Sequence, residues 1–250
     1  MMIQAHRWLC RALLTLAPLT AAAQMPPELA PFAPLSEHPD LFYEVTQEQE
    51  GWGTTTGWVH VHWLGDWEVS GEAVLTTVER ITVSHDPDLR LPPVLEVVKL
   101  RFDPQGLAMV GNRMITAELP DEVVECPEGL WILPLPLEAG ATRTMEDPAH
   151  RVRLEVLATD APSPNPLVSE DPCVQTLTVS IERRTSGAVA VNVSEAWFAP
   201  GLGVIRVEEA SGVSGDLVWE ELPTESLEAL AEQRSTLSHH ATLQLVPPAP

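Results

Sequence analysis

The chain has 250 residues, 36 of them acidic against 14 Lys and Arg, for a formal charge of −22. That balance repels phosphate backbones and anionic lipid surfaces, so nucleic acid is disfavoured as a partner, and the acidity reads as a solvated surface. An apolar fraction of 44% suffices for one sizeable core, and all-β chains of this length commonly form a single domain.

Residues 1–23 have the order of a secretory signal peptide: Arg7 and Arg11, an apolar run from Ala12 to Leu19, then Ala21-Ala22-Ala23 before Gln24. The run is too short for a bilayer, and Pro18 interrupts it. Cys10 precedes the run, which is not where a lipid-modified cysteine stands. The expectation is export to the periplasm or the cell exterior, with a mature chain from Gln24 and no transmembrane segment in it. Loss of Arg7 and Arg11 takes the formal charge from −22 to −24.

Residues 24–40 carry Pro26, Pro27, Pro31, Pro34 and Pro39 and read as an extended linker or arm. From Leu41 to Leu222 strand alternation dominates. One predicted strand places Val69, Ala73, Leu75, Thr77, Ile81 and Val83 on its apolar side, with Val74 and Val78 as exceptions on the polar side. A hairpin is predicted from Leu95–Phe102, the turn Asp103-Pro104-Gln105-Gly106, and Leu107–Gly111. Val152–Ala158 alternates as another strand, and the proline-bearing stretch 160–172 reads as a loop.

Val174–Arg183 and Ala188–Ala199 form a second predicted hairpin. Pro200, Gly201 and Gly203 are read as a structural turn into Val204–Glu209, followed by a turn near Gly212–Gly215 and a strand over Leu217–Leu222. Residues 223–250 are expected to hold one short helix, Thr224–Arg234, capped by Thr224 with Leu227, Leu230 and Ala231 on one stripe, and then a frayed tail. The predicted fold class is therefore mainly β: a curved antiparallel sheet, as half-barrel or closed meander, with one short C-terminal helix, or alternatively a β-sandwich.

The common catalytic signatures for zinc proteases, phosphate loops, serine elbows and dithiol redox centres are absent, so no catalytic residue and no cofactor is assigned. Gly201-Leu202-Gly203 lacks the third glycine and the following helix of a dinucleotide site. His60 and His62 stand at i and i+2 of a strand, on one side, and form a candidate metal pair, with His38, His85, Asp86 and Asp88 as further donors. Trp52, Trp58, Trp63 and Trp67 crowd one segment and read first as core, Trp58 and Trp63 on opposite faces. Cys126 and Cys173, the cysteines left after leader removal, are expected to form a disulfide.

Trp197-Phe198-Ala199-Pro200-Gly201-Leu202-Gly203-Val204-Ile205-Arg206 resembles the aromatic-aromatic-Ala-Pro-Gly-Val-Gly-hydrophobic-hydrophobic-basic signature of exported bacterial β-sheet proteins of unknown function. Leu202 stands in place of the signature's first valine, and Ser169-Glu170-Asp171-Pro172 replaces the usual Pro-Ala-Gly-Phe-like entry to the cysteine strand. The likeness spans Phe42 to Leu222. Those proteins are similar in build to periplasmic lipoprotein carriers, which implies a curved sheet with an apolar concavity and no transferable catalytic residue.

With many half-buried strands and one helix, the sheet needs a cover for its apolar face: closure on itself, the Pro-rich arm, a partner or a ligand. The expected function is that of a non-enzymatic binder of an apolar or envelope-derived ligand or partner. The alternatives are a metal-dependent hydrolase built on His60 and His62, and a structural or adhesion protein.

Overall fold

The computed structural model of the protein describes residues 25–33, 40–51, 53–84, 93–116, 122–168, 172–184, 187–214 and 217–247. The predicted signal peptide, His38, Trp52, His85, Asp86 and Asp88 lie outside these residues. Thirteen strands make one antiparallel sheet, and among the described residues the helical elements are short. Among the described residues there is no second sheet, so the β-sandwich alternative does not hold.

The first half of the chain builds β1 (Asp40–Gln49), β2 (Gly53–Trp63), β3 (Glu68–Ser70), β4 (Ala73–Ser84), β5 (Val94–Asp103), β6 (Gly106–Ile115) and β7 (Glu122–Pro134). The second half builds β8 (Thr142–Glu146), β9 (His150–Ala161), β10 (Cys173–Arg183), β11 (Val189–Ala199), β12 (Gly203–Ser214) and β13 (His239–Val246). The strand order is β7-β6-β5-β4-β2-β1-β13-β12-β11-β10-β9-β8, with β3 paired to β4 alone. Two meanders thus meet at the pairing of β1 with β13 in the middle of the sheet.

The edge strands β7 and β8 are consecutive in the chain, joined only by residues 135–141. Seven residues span at most about 25 Å, so the sheet must curl until its edges approach each other. Arg143 on β8 donates to the carbonyl of Leu135, just past β7, at 2.9 Å. The two edges are not paired, and the sheet is a half-barrel rather than a closed one.

The inner face explains the curl energetically. Val74 and Val78 of β4, Phe102 of β5, Leu107 of β6 and Leu133 of β7 share one buried cluster with Val156 of β9, Val174 of β10 and Phe198 of β11, drawn from opposite sides of the sheet centre. On β4 the predicted register is inverted: Val74, Thr76 and Val78 are buried, while Leu75 and Thr77 are only half-buried. The chain also turns at Gly71, with φ +62°, so the predicted single strand is a hairpin of β3 and β4. The outer face of β10 and β11 buries Val179, Ile181, Val189, Val191 and Val193 against Trp219, Leu227 and Leu230 of the excursion between β12 and β13.

Several expectations are corrected in the second half. Residues 217–222 are not a strand, and Trp219–Glu221 is a 3-10 turn. The predicted helix over Thr224–Arg234 is broken into a 3-10 turn, Thr224–Ser226, and the short α1, Leu227–Ala231. Thr224 makes no capping bond, because its hydroxyl donates to Glu146 at 2.9 Å. In place of a frayed segment, His239–Val246 forms β13, which lies between β1 and β12 at the centre of the sheet. Residues 162–168 of the predicted loop are packed down, with buried Asn165 donating to the carbonyls of Ile205 at 3.2 Å and Leu245 at 2.9 Å.

Cys126 and Cys173 do not form the expected disulfide. Cys173 is fully buried at the start of β10, in a cluster with Ala161 and Trp197, while Cys126 is half-buried on edge strand β7. β7 and β10 are not neighbours in the sheet, so strand pairing does not bring the two thiols together.

Candidate functional site

The inner face of the half-barrel is graded from apolar to polar. One row of directly opposed residues runs Val156, Thr176, Ala196, Val207, Leu243, Val45. Four residues along the strands, a parallel row runs Val152, Ser180, Asn192, Ser211, His239, Gln49. Strand alternation makes this possible, since residues two apart share a face and each pair of positions can change the chemistry of the face by a full row. The polar row lines a cavity of about 710 Å³ at one mouth of the half-barrel. Within it Ser211 and His239 lie 3.3 Å apart, and Asn192 donates to Glu209 at 2.9 Å.

The other mouth is filled by the chain itself. Residues 25–33, predicted as an extended arm, turn through a 3-10 segment at Ala30–Phe32 and bury Met25, Leu29, Phe32 and Ala33 in the inner cluster. Leu29 has no exposed surface. The signal was in the sequence: Met25, Leu29 and Phe32 stand at i, i+4 and i+7 among the prolines, a one-sided apolar spacing. The turn Pro200–Leu202 receives this segment, the Gly201 amide donating to the Pro31 carbonyl at 2.6 Å. Gly201 and Gly203 hold φ of +78° and +73°, and a side chain at Gly203 would stand 3.5 Å from the Phe32 carbonyl oxygen.

Beside the seated segment, Trp63 and Trp67 stack with ring centres 6.1 Å apart, and Trp67 meets Phe102 at 5.9 Å. Both indole N–H groups are buried and, among the described residues, have no hydrogen-bond partner. Trp58 faces outward and is 37% exposed, opposite Trp63 as parity required. Tyr43 is buried on the inner face, its hydroxyl donating to Val204 at 2.8 Å, and burial pushes its pKa well up.

His60 and His62 lie on the outer face, away from the cavity. Asp40 on β1 accepts from both, with its Oδ1 2.9 Å from His60 Nε2 and 2.7 Å from His62 Nδ1. Hydrogen bonds from His62 and then His60 hold the Asp40 carboxyl below its ordinary value. His60 also stacks flat on Phe42 at 4.5 Å. Among the described residues no group of three or more His, Cys, Asp or Glu is arranged to hold a metal ion, and no helix is long and apolar enough to cross a membrane.

A comparison of the chain with protein-family models, curated proteins and solved structures finds no match.

Proposed function

We propose that this chain is an exported, non-enzymatic binding protein that holds an apolar or envelope-derived ligand on the inner face of its half-barrel. The observation that carries the reading is the graded inner face: apolar rows at one end, a polar row around a cavity of about 710 Å³ at the other. Such a face suits an amphipathic molecule, its polar group among Ser180, Asn192, Ser211 and His239 and its apolar part toward Val156 and Leu243. Sites of this volume accept ligands of drug size or larger when a few polar groups converge over apolar walls. The leader-like residues 1–23 and the resemblance around Trp197–Arg206 support export and a carrier-like build.

The test is titration of a fluorescent fatty acid into the folded chain from Gln24 while tryptophan emission is followed. Saturable binding that Asn192→Leu or Ser211→Leu weakens is the expected result. Absence of saturable binding would overturn the reading.

A further inference from the structure

We infer that residues 25–33 are a displaceable plug, seated where the apolar part of the ligand belongs, and that this ligand carries a carbonyl acceptor, as an acyl ester does. The inference rests on the inner-face reading above and names both the occupant of the free protein and the chemistry that replaces it.

The segment is held differently from everything else inside the half-barrel. Among the described residues, one backbone hydrogen bond ties it to the sheet, from Gly201 to Pro31. Its own amides at Leu29, Ala30, Phe32 and Ala33 bond carbonyls at Pro26, Leu29 and Ala30 within the segment, and Pro26, Pro27 and Pro31 have no amide to satisfy. It can therefore leave without orphaning its backbone donors, and what departure exposes is apolar: Met25, Leu29, Phe32, Ala33 and the inner wall they cover. An apolar ligand restores that burial on the wall, while the freed segment remains exposed.

The seated state is also polar-incomplete. Two buried indole donors, Trp63 and Trp67, sit in the same cluster as the plug with no partner among the described residues. Buried donors are almost always paired, because an unpaired one forfeits its hydration without return. A purely hydrocarbon ligand would leave them unpaired. An acyl ester brings carbonyl oxygens that accept from them, which gives the ligand an advantage the plug lacks.

The experiment uses the folded chain from Gln24 and two probes of equal length, a medium-chain fatty acid methyl ester and the corresponding alkane. Saturating ester is expected to shift the indole N–H resonances of Trp63 and Trp67 and to speed hydrogen exchange at the Gly201 amide as Pro31 departs. The alkane is expected to speed Gly201 exchange without the indole hydrogen-bond shift. Leu29→Asp and Phe32→Ala, which loosen the plug, are expected to tighten ester binding about tenfold by raising the competent fraction.

Saturable ester binding that leaves Gly201 exchange and both indoles unmoved would overturn the plug while sparing the inner-face reading. Folded plug variants binding no more tightly than the parent would do the same, as would loss of the sheet's far-ultraviolet signal in both variants. No saturable binding of either probe in any variant would instead strike the inner-face reading itself.

Discussion

Gly106 and Gly201 both hold a positive φ, at +143° and +78°, yet their surroundings differ in a way that separates strain from collision. Nothing lies within 4 Å of a Cβ built at Gly201, whereas one at Gly106 meets the Leu133 carbonyl oxygen and comes within 3.0 Å of the Pro134 Cα. Gly201→Ala should cost about 1–2 kcal/mol from backbone strain alone. Gly106→Ala should lower the urea midpoint further. The Pro200–Gly203 turn was legible, since Pro and Gly state their torsions locally; the Leu133 contact was not, because it depends on the shifts in the β6–β7 register. The cysteines make the same distinction. Thiol titration of the chain from Gln24 should find two thiols in denaturant without reductant, and in the folded chain only a slow one, because Cys173 is buried and burial together with Asp147 pushes the Cys126 pKa up. At Asp40 the carboxyl is held down by its histidine partners, so the bond's contribution is complete above pH 3.8 and is lost as pH falls through the lower folded value. A carboxyl titration by NMR should find its midpoint below 3.8, and one at or above that value would contradict the geometry.

Among the elements, β13 is the one whose position least resembled its sequence expectation. It reads as a tail that follows the helix and ends in prolines, yet it pairs β1 over eight registered positions and β12 over six, joining the two meanders. Alternation of Leu243 and Leu245 was present, but which strands accept a C-terminal segment is a long-range matter that periodicity cannot state. Truncation after Ser238 should abolish cooperative unfolding, while truncation after Val246 should leave the melting temperature unchanged. Leu245→Ala should cost about 2–4 kcal/mol, as buried leucines do when a cavity is left. The adjacent residues 162–168 support the same joint through Asn165, whose amide reaches carbonyls on β12 and β13. Asn165→Ala should destabilise by about 1–3 kcal/mol, the usual cost of leaving buried carbonyls unpaired. The β4 register failed for a related reason. Val74 and Val78 read as exceptions when alternation is counted from Val69, because Gly71 breaks it into two strands and a count across that turn inverts the faces.

At the scale of the whole molecule, a sheet this wide with little helix had to be covered, and the cover differs between its two faces. Outside, residues 217–237 lie on β10 and β11; inside, residues 25–33 fill the apolar end and leave the polar end open. The fold class and the need for a cover were legible from strand alternation and from the scarcity of helix. The graded inner face was not, because it exists only once residues such as Ser180, Asn192, Ser211 and His239, widely separated in sequence, are brought into one row by pairing. On the proposed reading this face holds a ligand. The most direct measurement is a native mass spectrum of the protein recovered from the cells that make it, for the parent chain and for Leu29→Asp. A retained apolar or amphipathic molecule is expected as a discrete mass increment, at higher occupancy in Leu29→Asp. Bare protein alone in both spectra would contradict it.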